Sequence, residues 1–342
     1  MPVAAVALSG GVDSLVAALR LRAAGHSLLG IHFLTGFETA PPDSVRGLAD
    51  RLEIPFHEID LTDDFRRSVV DDFVETYRRG RTPNPCMVCN PRIKFGRLLE
   101  EARKRGADLL ATGHYARIVR DEEGRVHLLR GADRKKDQSY FLARVPGNRL
   151  AAAVFPLGDL TKDRVREMAA EAGFSESIRS ESQDICFVRD NYADFLAAAG
   201  APSRPGEIVA LDGTVIGRHE GLHRYTVGQR KGIGVPGPQP YYVARLDREG
   251  NRLVVGGKAA LRNFGCRVAS VNWIIDPPEN RLETRVRVRH RHQAAPARVT
   301  PLPGNRAEVQ FETPQSAVTP GQGAVFYRDE EVLGGGVIEE AW

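Results

Sequence analysis

Cysteine is scarce in this chain: Cys86, Cys89, Cys186 and Cys266 are the only four among 342 residues, too few to staple a fold of this size. Long apolar runs are absent as well. Mean hydropathy is −0.31 and no stretch approaches the ~20 apolar residues that a membrane-spanning helix needs, which excludes a helical membrane protein. An excess of one charge sign is also missing: 48 Lys and Arg face 44 Asp and Glu, a net of +4. That balance permits a nucleic-acid partner without requiring one. The apolar start, residues 2–8, lacks a basic segment before it and runs into a glycine turn. It reads as a first strand and not as a secretion signal, so a cytoplasmic setting is expected. There a Cys-x-x-Cys pair is more often chemistry than a staple. Repeats and low-complexity stretches are missing too.

What is present begins with alternation. Val3–Leu8, Leu28–Phe33, Phe56–Leu61 and Asp108–Thr112 read as strands, separated by helical patterns over Ser44–Leu52, Asp63–Arg79 and Ile93–Arg105. In the first helical segment Val12, Leu15, Val16, Leu19 and Ala23 share one face. Strands alternating with helices predict an α/β fold, a doubly wound parallel sheet covered on both faces. Ala116–Val119 and Val126–Arg130 are expected to add a hairpin to that sheet. After about residue 200 the texture changes to short segments punctuated by Pro and Gly, and from Cys266 onward to β-like runs and turns. Three domains are expected: residues 1–200 as the catalytic domain, 201–263 as a small, mostly β central domain, and 264–342 as a C-terminal β-barrel.

Ser9-Gly10-Gly11-Val12-Asp13-Ser14 sits at the first strand-to-helix turn. Two glycines let backbone N–H groups converge, and the helix N-terminus adds partial positive charge, so the turn suits a phosphate. It lacks the Gly-Lys-Ser/Thr ending of a Walker A loop and the Gly-x-Gly-x-x-Gly of dinucleotide folds. The cysteines lie in two places. Cys86 and Cys89 end a stiff polar segment, Gly80-Arg81-Thr82-Pro83-Asn84-Pro85, read as a loop between helices; Cys186 follows Ser182-Gln183-Asp184-Ile185. A structural zinc site would usually take a fourth ligand, and the remaining Cys266 lies in an apparent strand and reads as buried and inert. Basic residues collect in 281–298, where six Arg meet the single acid Glu283. If 285–291 is a strand, Arg285, Arg287, Arg289 and Arg291 share one face, a stripe for phosphates. Arg218, His219, His223, Arg224, Arg230 and Lys231 form a second basic segment.

The hexapeptide resembles the pyrophosphate (PP) loop of the N-type ATP pyrophosphatases, which are adenine nucleotide alpha hydrolase-like. The chain as a whole is similar to the tRNA 2-thiouridylases of that superfamily. The matching motifs, in family order, are SGGVDS (9–14), GRTPNPxxxCN (80–90), IKF (93–95), ATGHYARI (111–118), KDQSYFL (136–142), FPLGDLTK (155–162), ICF (185–187), GLHRYTVGQRKG (221–232) and TPGQ (319–322). This resemblance implies an ATP-dependent tRNA-uridine 2-sulfurtransferase that adenylates the C2 oxygen of the wobble uridine and replaces it with sulfur. It implies ATP at Ala7, Leu8, Ser9, Gly10, Gly11, Val12, Asp13, Ser14, Phe33 and Gly113, with Asp13 helping to hold Mg²⁺. It implies tRNA contacts at Asn84, Pro85, Cys86, His114, Lys136, Asp137, Gln138, Arg289, His290 and Gln322. Catalysis would fall to Asp13, Cys89 and Cys186, the last carrying persulfide sulfur that Cys89 releases by forming a disulfide. The substrates implied are tRNAs for Lys, Glu and Gln, and the sulfur donor is a cysteine desulfurase, a sulfur-relay protein or free sulfide.

Cys86 stands where the common family has Asp. With Cys89 and Cys186 it completes the three-cysteine set by which some related thiolases hold a [4Fe–4S] cluster with one iron open. A redox pair at Cys86 and Cys89, with persulfide on Cys186, is the competing reading. Two other functions compete with thiolation: a non-catalytic tRNA-binding or sulfur-carrier protein, and another PP-loop adenylating synthetase.

Overall fold

The structure is a computed structural model and describes every residue except 1, 39–41, 175–184, 189–190, 201–203 and 238. Ser182, Gln183 and Asp184 therefore lie outside the described residues, and the expected domain boundary just after residue 200 borders undescribed ones.

Five parallel strands form the first sheet: β1 (Val3–Ala7), β2 (Ser27–Leu34), β3 (Phe56–Asp60), β4 (Leu109–Ala111) and β7 (Ala153–Val154), in the order β3-β2-β1-β4-β7. Parallel strands are buried on both faces, so β1 is a run of small apolar residues with Ala4, Ala5 and Val6 wholly covered. Chain order reverses between β1 and β4. Ligands of such sheets bind at this reversal, outside the C-terminal strand ends, which is where SGGVDS and ATGHY emerge.

The expected hairpin, β5 (Ala116–Arg120) with β6 (Val126–Arg130), forms, but on the other sheet. Its β6 pairs with β17 (Glu331–Ala341), Leu128 opposite Val332. That partner comes from the far end of the chain, and nothing in the local alternation points to it. A central sheet joins β8 (Gly206–Val209), β9 (Val215–His219), β10 (Tyr242–Asp247) and β11 (Arg252–Gly256). Beyond it, β12 (Arg262–Trp273), β13 (Leu282–Arg287), β14 (Ala295–Leu302), β15 (Arg306–Ser316), β16 (Gly323–Arg328) and β17 run antiparallel. Because β12 pairs with both β15 and β17, these six strands close into a barrel and leave no edge. Its core includes Cys266, Val286, Val309, Phe326 and Ile338. Cys266 is buried, as expected, and that burial raises its thiol to about 12.

The barrel is fastened to the parallel-sheet domain by directional bonds. Tyr140 Oη donates to Gly323 O (3.0 Å), Asn272 Nδ2 to Ala143 O and Val145 O (3.0 Å each), and Thr82 N to Pro320 O (2.9 Å). Among the described residues no helix is long and apolar enough to cross a membrane.

Candidate active site

Loop geometry comes first. Gly10 takes φ +76°, a conformation that favours glycine, and Gly11 caps the helix Val12–Ala23 with an extended backbone. Ser14 Oγ donates to Gly11 O (2.9 Å) and accepts from Ser9 N (3.2 Å), which ties the turn closed around its N–H groups. Leu8, Val12 and Ser14 are buried and face the core; Ser9 and Gly11 are exposed. Gly113, from the turn after β4, presses on the loop: a Cβ there would lie 2.8 Å from Asp13 Cβ. Gly113→Ala is therefore expected to push the loop aside and lower ATP affinity about tenfold, ~1.4 kcal/mol, within the range of overpacking costs. Calorimetric titration with ATP checks it. Phe33 is half-buried near the C-terminal end of β2, the strand that pairs with β1.

Asp13 is not an open ligand. Its Oδ1 and Oδ2 accept the Lys162 ammonium at 2.7 and 2.8 Å, and Oδ1 also accepts the Tyr115 hydroxyl at 2.8 Å. The carboxylate's charge is thus already met by a cation of this chain, so the residues present do not fit the expected Mg²⁺ role of Asp13.

The thiols sit in a different local structure from the one expected. Residues 86–104 are one continuous helix, and Cys86–Cys89 is its first turn, not a loop. Pro85 enters as the cap; a proline there forfeits no helical hydrogen bond. Met87 and Val88 are buried, while Cys86 is exposed and Cys89 half-buried. The stretch Asn90–Leu98 winds as a π-helix, whose i→i+5 bonding sets residues five apart above one another. That places Lys94 one turn beyond Cys89.

Cys186 is held by its neighbour. Phe187 is 2% exposed and packs on Phe73 (5.1 Å between centroids), Phe195 (5.4 Å), Phe37 and Phe65 (5.8 Å each). Burying such a ring is worth about 1.5–3 kcal/mol, ample to fix the short ICF segment.

Lys94 connects the parts. It acts electrostatically on Cys86, Cys89, Cys186 and His114. Burial pushes the Cys89 thiol up to about 12, and Lys94 opposes that rise. The Cys86 and Cys186 thiols reach solvent, yet surrounding protein still raises both, again against Lys94. His114 is held well below the ordinary histidine range, first by burial and then by Lys94. Its Nδ1 lies 2.6 Å from Thr112 Oγ1 and its ring packs on Phe95 and Phe155. Among the described residues no three His, Cys, Asp or Glu side chains form a metal-holding group, and all four cysteines are free thiols. The residues as placed do not fit a preformed iron–sulfur site.

Several residues expected at a tRNA surface have other work. Asp137 is 2% exposed; its carboxylate accepts Arg130 and Arg287 (3.2 Å each) and the N–H groups of Gly131 and Ser139 (3.1 Å each). A side chain so enclosed has no surface to offer RNA. Gln322 donates its amide to Thr82 O and Pro83 O, and Gln138 Oε1 accepts Tyr115 N. His290 lies tilted against Phe141 (4.4 Å between ring centroids) with Nε2 3.1 Å from Asp137 O. Pro85 is buried; Asn84 and Lys136 are half-buried, and Arg289 is exposed. The four-arginine stripe does not form. β13 ends at Arg287, which is buried against Asp137, and Arg289 and Arg291 lie in the turn that follows. In the second basic segment His219 and His223 are buried, so only Arg218, Arg224, Arg230 and Lys231 face solvent there.

Lys94 and Lys162 were not singled out from the sequence, although both stand in quoted motifs. The available signal was a lysine set among core residues: Ile93 and Phe95, either side of Lys94, are wholly buried.

A phosphate-cradling loop at the switch point of a parallel sheet, with thiols beside it and a barrel docked on the same domain, defines a PP-loop enzyme. Residues 3–190 match the tRNA methyl transferase HUP domain, 193–257 its PRC-barrel domain and 263–338 the aminomethyltransferase beta-barrel domain. The chain is 47% identical to the tRNA-specific 2-thiouridylase MnmA of Geobacter metallireducens, over 98% of this chain and 96% of that one. It is 50% identical to the MnmA of Desulfosudis oleivorans, over 98% and 95% respectively. A solved 4-thiouridine synthetase–RNA complex with bound ATP is similar over 52% of this chain and 42% of that one, at 20% identity and a TM-score of 0.34, too low to carry an argument. The chain belongs to the MnmA family of tRNA-specific 2-thiouridylases.

Proposed function

We propose that this protein uses ATP to replace the C2 oxygen of the wobble uridine of tRNA with sulfur. The observation that carries the reading is the continuity of the site. Gly113 presses on Asp13 of the phosphate loop, His114 is the next residue, and Lys94 links His114 to all three thiols. This continuity supports activation and sulfur delivery within one crevice. A uridine C2 oxygen is a poor leaving group; adenylation turns it into AMP, with pyrophosphate released from the α-phosphorus. The loop N–H groups stabilise charge on that pyrophosphate. A wobble base must leave its stack to enter the crevice. Persulfide on Cys186 supplies the sulfur, Cys89 displaces it as hydrosulfide by closing a disulfide, and the sulfur adds at C2 as AMP departs. Free thiols suit a reducing cytoplasm. Family resemblance implies tRNAs for Lys, Glu and Gln, with a desulfurase, relay protein or sulfide as donor.

The test uses anaerobically purified full-length protein with tRNA. Wild type and Cys186→Ser are both expected to exchange pyrophosphate into ATP in the presence of tRNA. Only wild type should produce 2-thiouridine, read by nucleoside mass spectrometry. A tRNA binder or sulfur carrier would show no exchange, and another synthetase would exchange without thiolating. Iron that copurifies with activity and is lost in Cys86→Ala would replace the persulfide route by a cluster.

A further inference from the structure

Lys94 acts on three thiols, and the persulfide route uses only two of them. Cys86 is the thiol left over. It opens the helix over 86–104, one turn before Cys89. Residues so spaced on a helix face each other, with about 5–6 Å between Cβ atoms. A disulfide needs about 3.5–4.5 Å, so a small closure of the turn joins the two sulfurs. The turn itself is firmly set. Val88 N and Cys89 N both donate to Pro85 O (3.1 and 2.8 Å), and Met87 and Val88 are buried beneath it. The charges of the three sulfurs are felt by one another: Cys86 acts on Cys89, and Cys186 acts on both. Exposure divides the helical pair, since Cys86 is exposed and Cys89 half-buried.

We propose that Cys86 is a catalytic residue that resets the sulfur relay by thiol–disulfide exchange. In the persulfide reading above, on which this rests, release of hydrosulfide leaves a Cys89–Cys186 disulfide. The Cys86 thiolate attacks Cys89 Sγ: the Cys86–Cys89 bond forms, the Cys89–Cys186 bond breaks, and the electron pair leaves on Cys186 Sγ. Charge thus passes from one sulfur to another within the field of the same Lys94 ammonium. Cys186 is free again to take sulfur, while the oxidised pair lies within one helical turn, its Cys86 end exposed. A soluble dithiol then attacks Cys86 Sγ, forming a mixed disulfide and releasing the Cys89 thiolate. Its second thiol closes the reductant's own disulfide as Cys86 leaves. The dithiol gives up two electrons and two protons, and the cysteine pair gains both. A thiol one turn away outcompetes a dissolved one for Cys89, because its encounter is already made.

Full-length wild type, Cys86→Ser and Cys86→Ala, purified without oxygen, are each given tRNA, ATP and one equivalent of glutathione persulfide, with no dithiol present. Samples are quenched in acid over time and alkylated. Disulfides are mapped by peptide mass spectrometry, and 2-thiouridine is read in the same samples. In wild type the Cys89–Cys186 disulfide should appear together with 2-thiouridine and then be lost, as Cys86–Cys89 becomes the major form. In both variants Cys89–Cys186 should persist. A second equivalent of persulfide should then load Cys186 in wild type and fail to load it in the variants. The wild-type time course decides by itself should a variant not fold. Wild type that keeps Cys89–Cys186, with Cys86 recovered as a free thiol, would overturn the proposal and leave the persulfide reading standing. Wild type that forms no disulfide, with or without 2-thiouridine, overturns the persulfide reading and the reset with it.

Discussion

Replacing Lys94 by Met should shift the rising limb of the thiolation pH–rate profile to higher pH. The sign follows from the thiols. Cys89 is pushed up to about 12 and Cys86 and Cys186 are raised, all first by burial, and Lys94 pulls each of them back down. Without that ammonium every thiol rises further. The thiolate is the nucleophile, and below its pKa its fraction falls about tenfold for each unit of rise. The rate at neutral pH therefore drops, and raising the pH restores part of it. tRNA-dependent ATP/pyrophosphate exchange should change little, since the phosphate loop has its own cation in Lys162. Lys94→Arg should keep most of the rate. A profile that falls uniformly without moving along the pH axis would show that Lys94 supports the helix rather than the thiols.

The parallel sheet was legible because its strands are buried on both faces and read as short apolar runs between helical periods. The phosphate loop was legible because two glycines and a helix start are local chemistry. What escaped was non-local. The hairpin 116–130 carries the pattern of a strand pair, but its partner β17 lies some two hundred residues away. Cys86–Cys89 looked like loop because Pro83 and Pro85 precede it, yet proline at a helix entrance is compatible with the turn that follows. Asp13 was readable as a loop carboxylate, but not that Lys162 would reach it from 149 residues further on. Electrostatic partners of this kind are set by the fold, and a motif supplies only one half of each.

Arg287 shows the same limit with a measurable consequence. Alternation assigned it to an exposed face with Arg285, Arg289 and Arg291. Instead its side chain is 11% exposed and pairs with Asp137, which is 1% exposed and also holds Arg130. Removing Arg287 leaves the buried Asp137 carboxylate to Arg130 and two backbone N–H groups, and the loss of one hydrogen-bond partner to a charge costs about 1.5–3 kcal/mol. Arg287→Ala should therefore lower the unfolding free energy by that much, read from the denaturant midpoint, because the pair joins the barrel to the catalytic domain. Arg289→Ala with Arg291→Ala should leave stability nearly unchanged. If those exposed arginines meet tRNA phosphates, the double variant should flatten the salt dependence of tRNA binding by about 0.7–0.9 for each phosphate no longer neutralised. Measured on one set of proteins, stability and salt slope separate the two roles. A stable Arg287→Ala with a flattened slope would return that residue to the RNA surface. An unstable Arg287→Ala that, under conditions where it remains folded, retains the wild-type slope establishes it as the clamp between domains.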